Sequence, residues 1–182
     1  MTAQRLHQMQ LIYSQTGDRL MLRINTQDKQ EFRFWLTRRF IKRIWPGLAQ
    51  ALARNVQPGA LYSPQARSAM LEHRHHKAIA QADFNTDFDN KVETIPLGPE
   101  PVLVTKARLT PTTTGIIVLA LFPETGQGIE LALDPNLLHA FCQLFQDALP
   151  KTDWDLKLQL GPFVTDDIPM ATSSDNPSWK LN

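Results

Sequence analysis

Cysteine is almost absent from this chain: Cys142 is the only one among 182 residues. A single thiol forms no internal disulfide and supplies no cysteine-based zinc cluster. Cys142 falls beside Phe141 and Phe145 on the apolar side of a predicted helix. We therefore expect a buried structural thiol rather than a nucleophile.

Long apolar runs and catalytic motifs are also lacking. No run approaches the roughly 18 residues of a membrane span, and the first ten residues, MTAQRLHQMQ, have no apolar signal core. The sequence contains no G-x-S-x-G, no phosphate-cradling glycine loop and no paired-carboxylate signature. These absences predict a cytoplasmic protein with no membrane contact and no cofactor, and they favour a binding protein over an enzyme.

The net charge of +1 conceals a division of the chain into two halves. Residues 1–77 carry 13 Lys/Arg and 4 Asp/Glu, a net +9, whereas residues 78–182 carry 6 and 14, a net −8. Two interpretations stay open. Either the halves neutralise each other, or the first half presents a basic face to a polyanion.

Two stretches of the chain predict the same succession of three strands and a helix. In residues 1–54, the predicted strands are QMQLIYS, RLMLRIN and EFRFWLT, in which apolar residues alternate, and a helix capped by Thr37 follows. Pro46-Gly47 predicts that this helix is kinked or split. In residues 101–160, the strands VLVTKAR, GIIVLALF and GIELALD precede a helix capped by Asp134.

An offset of 97 positions aligns these stretches without a gap. Two strands, a cap and a helix face then match together, which indicates a duplication. The predicted fold is α+β, with two fused β-β-β-α repeats that form antiparallel sheets with packed helices. The matched strand positions are Leu20, Leu22 and Ile24 with Ile117, Leu119 and Leu121, and Phe32, Phe34 and Leu36 with Ile129, Leu131 and Leu133.

The remaining segments have no counterpart in the repeat. Residues 55–100 predict a polar connector helix, which Ser63 caps, and an extended linker. WDLKLQL, residues 154–160, alternates and predicts a last strand in the second unit. Residues 161–182 are polar and punctuated by proline, which predicts a mobile tail.

One basic and aromatic cluster stands out in EFRFWLTRRFIKRIW. Its candidate binding residues are Arg33, Trp35, Arg38, Arg39, Lys42 and Arg43. The favoured interpretation is a non-enzymatic binding or adaptor protein with a protein partner. The alternative is a single-stranded nucleic-acid binder, in which Trp35 stacks on bases and the cations neutralise phosphates.

A third hypothesis is a metal-dependent enzyme. Glu72, His73 and His76 lie three or four positions apart, so pairs of them share a helix face. The order of residues is not that of an H-E-x-x-H metalloprotease, and no further ligand is indicated. A solvated helix face is the favoured interpretation.

Several stretches resemble a family of small proteobacterial proteins to which no activity is assigned: FRFWLTRRFIKRIWP, SPQARSAMLEH, QADFNTDF and LLHAFCQLFQDAL. The resemblance implies a bacterial, cytoplasmic protein. The succession of sheet strands and helix, repeated once, is also similar to Whirly/PUR-type single-strand binders. Those proteins usually have four strands in each repeat, against three predicted here, so the similarity is one of architecture.

Overall fold

The structure, a computed structural model, describes residues 5–55 and 63–160. It has the predicted α+β fold, with two β-sheets and helices packed against them. No helix in these ranges is long and apolar enough to cross a lipid bilayer. The elements are β1 (Leu6–Ser14), β2 (Arg19–Thr26), β3 (Glu31–Leu36), α1 (Arg38–Asn55), α2 (Pro64–Gln81), β4 (Val102–Leu103), β5 (Lys106–Pro111), β6 (Ile117–Phe122), β7 (Ile129–Leu133) and α3 (Pro135–Ala148), with a 3-10 turn over Leu149–Lys151.

The first sheet has the strand order β1-β2-β3-β4. Successive side chains of a strand point to opposite faces, so alternate residues of β2 and β3 face the core. These core residues are at most 5% exposed. Burial of each side chain stabilises the folded state by about 1.5–3 kcal/mol relative to leaving it in water. They are Leu20, Leu22, Ile24, Phe32, Phe34 and Leu36.

The second sheet has the order β5-β6-β7, and all its strands are antiparallel. Leu119 lies opposite Leu131 here, as Leu22 lies opposite Phe34 in the first sheet. The order β-β-β-α thus occurs twice, with equivalent pairing of the second and third strands. A duplication that produced the two units stays a prediction.

The predicted helix caps are confirmed. The side-chain oxygens of Thr37, Ser63 and Asp134 accept hydrogen bonds from backbone N–H groups three residues on, at 3.2, 3.2 and 2.9 Å. Each cap satisfies a donor that the helix leaves unpaired. Of the two effects predicted for Pro46-Gly47, the split is wrong, because α1 continues through Pro46. A kink stays a prediction. Pro46 and Lys42 lie on the exposed side of α1, so the Lys42 carbonyl, which loses its donor to the proline, belongs to an exposed residue.

The two units share one hydrophobic core. Helix α3 packs against α1, α2 and β1, while α1 contacts β5, so the helix of each unit touches the first strand of the other. The approach is close at Gly47, where an added Cβ would lie 2.9 Å from Leu109 Cδ1.

The predicted strand VLVTKAR is divided between the two sheets, which corrects the prediction of a single strand. The Val104 N–H donates to the Trp35 carbonyl of the first sheet at 3.0 Å, and the Thr105 N–H donates to the Phe122 carbonyl of the second at 3.0 Å. Strand β4 pairs parallel to β3, so the first sheet is not wholly antiparallel. A parallel pair requires a crossover, which is the connection from β3 to β4 that contains α1 and α2.

The predicted last strand is also wrong, because residues 154–160 form no strand. Their apolar side chains do pack on the core, and Trp154 is buried. Their backbone carbonyls accept hydrogen bonds from side chains and not from a neighbouring strand. The Gln159 carbonyl accepts from the Trp45 indole N–H, and the Leu158 carbonyl accepts from the Gln146 side-chain amide, both at 3.0 Å. The predicted mobile tail, 161–182, lies outside the described residues.

We expect Gly128→Ala to destabilise the second sheet. An added Cβ would lie 2.1 Å from the Leu121 carbonyl oxygen, so the backbone of β6 or β7 must shift. Urea denaturation should show a loss of about 1–3 kcal/mol in the free energy of unfolding. Gly17→Ala is the control, since its nearest atom is Ser14 Oγ at 3.5 Å, and it should stay within about 1 kcal/mol of the wild type. Equal stability of the two variants would contradict the described approach of β6 and β7.

Candidate functional site

The outward face of the first sheet carries Arg33 and Trp35, as strand alternation predicts. Trp35 lies opposite Met21 on β2 and Leu103 on β4, and Met21 lies opposite Ile12 on β1. This apolar row crosses the whole sheet, with Trp35 half-buried within it. Ile12 and Leu103, at its ends, are each 38% exposed.

The neighbouring row places two arginines side by side. Arg23 and Arg33 are directly opposite each other on β2 and β3, and like charges in that position repel. Glu31 lies between them and is fully buried. Its Oε1 accepts from Arg23 Nε at 2.7 Å and from Arg33 Nε at 2.8 Å, and its Oε2 accepts from Arg33 Nη2 at 3.0 Å.

The arginines keep Glu31 ionised despite its burial. Burial acts to raise the pKa of the carboxyl group, but hydrogen bonds from Arg33 and Arg23 and their positive charges outweigh it, so the pKa lies below its ordinary value. Glu31 in turn raises the pKa of Arg33. The three groups therefore act as one charged unit, which we call the Glu31 hub.

Residues 83–100 cross the outward face and accept further hydrogen bonds from both arginines, while Arg23 Nη1 donates to Gln10 of β1 at 3.2 Å. Arg23 donates to the Asn90 side chain at 2.8 Å, and its guanidinium lies over the Phe88 ring, 4.3 Å from the centroid. Arg33 donates to the Pro99 carbonyl at 3.1 Å. Arg33, a predicted binding residue, is thus engaged within the protein.

The cations of α1 are in a different situation. Arg38, Arg39, Lys42 and Arg43 are exposed, and α1 contains no acidic residue. Within residues 5–55 and 63–160, none of the four has an ion pair or a hydrogen bond through its side chain. We call these four residues the basic turn of α1.

The two oppositely charged halves of the chain meet in an exposed ion pair. Lys29 of residues 1–77 lies 2.8 Å from Glu93 of residues 78–182. Both partners are about two-thirds exposed, and such pairs contribute little to stability. The negative half therefore leaves the basic turn without a partner in the described structure.

Sequence reasoning missed the role of Glu31, whose carboxylate holds both Arg23 and Arg33 in place. A signal was present, because Glu31 and Arg33 are two apart and so share a strand face. The pairing of Arg23 with Arg33 depends on the register of β2 and β3, which places a third charged group between them.

The candidate metal ligands Glu72, His73 and His76 are exposed on α2. No group of three or more potential metal ligands occurs in the part of the chain that the structure describes. The buried histidine of this helix is His75, which contacts His139 of α3. Cys142 is buried, as predicted, and burial raises the pKa of its thiol.

Comparison of the chain with known protein families, curated proteins and solved structures gives no match. The resemblance to small proteobacterial proteins and the architectural similarity to Whirly/PUR-type proteins stay predictions. The geometry of the site is therefore the basis for assigning a function.

We expect Glu31→Ala to destabilise the protein by about 2–4 kcal/mol, because it leaves two partly buried guanidinium groups facing each other. Glu93→Ala removes a carboxylate from the exposed Lys29 pair and should cost less than about 1 kcal/mol. Urea denaturation at pH 7 measures both. A cost for Glu31→Ala no larger than that for Glu93→Ala would contradict the hub.

The pH dependence gives a second test of the hub. Because the pKa of Glu31 is lowered by folding, its ionisation stabilises the folded state above the ordinary value of 4.5. That stabilisation is lost as the pH falls through the lowered pKa. The difference in unfolding free energy between the wild type and Glu31→Gln should therefore shrink as the pH falls below 4.5. A difference that stays constant down to complete acid unfolding would show that the charge of Glu31 is not what matters.

Proposed function

We propose that this protein is a non-enzymatic binding or adaptor protein that contacts a negatively charged partner through the basic turn of α1. The observation that carries the proposal is the absence of any internal partner for these four exposed cations within the described residues. A bacterial source and a cytoplasmic location belong to the same proposal.

The folded protein bears an electrostatic cost at this turn. Arg38 and Lys42, and likewise Arg39 and Arg43, are like charges four apart, and each such pair costs about 0.2–0.5 kcal/mol. The turn also lies at the helix N-terminus, where the partial positive charge of the backbone disfavours cations by about 0.3–1 kcal/mol each. An anionic partner would relieve both costs, which supports a role in binding.

The Glu31 hub indicates which cations are available. Arg23 and Arg33 already satisfy a buried carboxylate, so their transfer to a ligand would leave Glu31 without its partners. The basic turn has no such commitment. The predicted surface is therefore centred on Arg38, Lys42 and their neighbours, with Arg33 in a supporting position.

Single-stranded nucleic acid is the second candidate partner, and Trp35 is the observation that favours it. Trp35 precedes Arg38 by three residues and lies in the apolar row that ends in Ile12 and Leu103. A single strand offers unstacked bases for such a row and phosphates for the cations. An acidic protein offers carboxylates and does not require the indole.

Two polyanions with equal numbers of charges distinguish the candidates: a fluorescent single-stranded oligonucleotide and a polyglutamate peptide. We expect Arg38→Ala/Lys42→Ala to weaken the binding of both. For the oligonucleotide, the slope of log affinity against log salt should fall by about 0.7 for each cation removed. Arg67→Ala/Lys77→Ala is the matched control, because it removes the same charge from the exposed side of α2.

Trp35→Ala separates the two partners. If bases stack on the indole, this variant should lose about 1–3 kcal/mol of oligonucleotide binding and retain polyglutamate binding. If both polymers bind equally and Trp35→Ala changes neither, the partner is an acidic protein. Absence of binding to both polymers at low salt, or equal losses in the α1 and α2 double variants, would refute the basic turn as the contact surface.

A further inference from the structure

Helix α2 is attached to the rest of the protein by a narrow buried stripe. Its buried side chains are Leu71, His75 and Ala78, which lie on one face of the helix. His75 is the middle residue of this stripe and the only one with hydrogen-bonding groups. The contact between α2 and α3 therefore includes a titratable group at its centre.

His75 belongs to a chain of hydrogen bonds that connects it to side chains of α3. His75 Nδ1 lies 3.0 Å from His139 Nδ1, and His75 Nε2 lies 2.8 Å from Gln143 Oε1. Gln143 Nε2 donates to Asp147 Oδ1 at 2.7 Å. Both histidines are buried, at 7% and 4% exposure.

This hydrogen-bond chain determines which ring nitrogens of His75 and His139 carry a proton. Because Gln143 donates its Nε2 to a carboxylate, its Oε1 faces His75, so His75 Nε2 bears the proton. In the neutral ring, His75 Nδ1 is then an acceptor, and His139 Nδ1 must be the donor. The two facing nitrogens thus share a single proton.

We propose that the His75–His139 pair is an acid-sensitive latch, which holds α2 on α3 while both rings are neutral and releases α2 when the pair takes up protons. An added proton places a positive charge on a buried pair next to Arg74. A proton on each ring leaves two donors face to face with no acceptor between them. Both states favour an open form in which water reaches the rings.

The surrounding charges support this direction. Burial, and then the nearby His75 and Arg74, lower the pKa of His139 from 6.5 to about 4. His76 lies further off, 6.4 Å from His75 between ring centroids, and Asp147 reaches the pair only through Gln143. Other titratable groups nearby do not offset this effect. His7, Lys42 and Arg43 are exposed to solvent, and the Tyr13 hydroxyl donates a hydrogen bond to Asp18. Cys142 is a neutral thiol, because burial raises its pKa.

The sign of the pH effect follows from this shift. Since the pKa of His139 is lower in the closed form, the open form binds more protons as the pH falls below 6.5. The closed form loses its advantage between pH 6.5 and about 4. For one such group, opening should be roughly twentyfold more favourable at pH 5 than at pH 7.

Hydrogen exchange of the intact chain tests the latch. After correction for intrinsic exchange rates, protection of α2 amides should fall roughly twentyfold from pH 7 to pH 5, while protection of α1 changes much less. His139→Asn should make this fall clearly smaller, because its side-chain amide can still donate to His75 but does not take up a proton. His73→Asn, which removes an exposed histidine from the same helix, should leave the dependence unchanged.

Equal protection of α2 at the two pH values, or the same fall in His139→Asn, would overturn the proposal. If His139→Asn does not fold, nitrogen-15 spectra of the wild-type histidine rings decide. At pH 7 the latch requires the Nδ1–H tautomer of His139 and the Nε2–H tautomer of His75. The opposite tautomers, or a His139 ring that titrates near 6.5 while α2 stays protected, would equally refute it.

Discussion

The buried carboxylate of Glu31 determines how the positive charge of this protein is distributed. Arg23 and Arg33 are direct neighbours across two strands, and their repulsion is relieved only by a group that contacts both. Glu31 does so at zero exposure, which an unpaired carboxylate would not tolerate. The hub therefore engages two arginines within the sheet, whereas the four clustered cations of α1 have no such commitment in the described residues.

The hub also orders the segment that connects the two units. Residues 83–100 contact the outward face at Arg23 and Arg33. Two backbone hydrogen bonds add to these contacts: the Glu31 N–H donates to the Thr94 carbonyl at 3.0 Å, and the Glu93 N–H donates to the Lys29 carbonyl at 2.9 Å. The chain then enters β4 beside β3 and passes to the second sheet. One face of the first sheet thus packs on the core, while the other face contacts residues 83–100 of the crossover. The apolar row with Trp35 remains partly exposed.

Much of the fold could be predicted from the sequence, because burial imposes periods of two on strands and near 3.6 on helices. The faces of β2, β3, β6 and β7 and the caps of α1, α2 and α3 follow from such local rules. The errors arose where pairing partners decide the outcome. Residues 154–160 alternate because one side packs on the core, but Trp45 and Gln146 take carbonyls that a ladder would use. The break at Val104–Thr105 depends on two sheets that no local pattern reveals.

The candidate site could be predicted in part. The exposure of the α1 cations follows from the helical period, since Phe40, Ile41 and Ile44 occupy the buried side. The engagement of Arg33 depends on strand register and on residues 83–100, distant in sequence. The contact of His75 with His139 likewise depends on how α2 packs on α3, so reasoning from spacing alone considered the exposed Glu72, His73 and His76 and gave no role to His75.

The most direct test of this account is arginine modification of the native protein by phenylglyoxal, followed by mass spectrometry of the modified positions. The account predicts rapid modification of Arg38, Arg39 and Arg43 and slow modification of Arg23 and Arg33, with the difference lost after unfolding. Modification of Arg33 as fast as that of Arg38 in the folded protein would contradict it, because the hub would then not hold the sheet arginines.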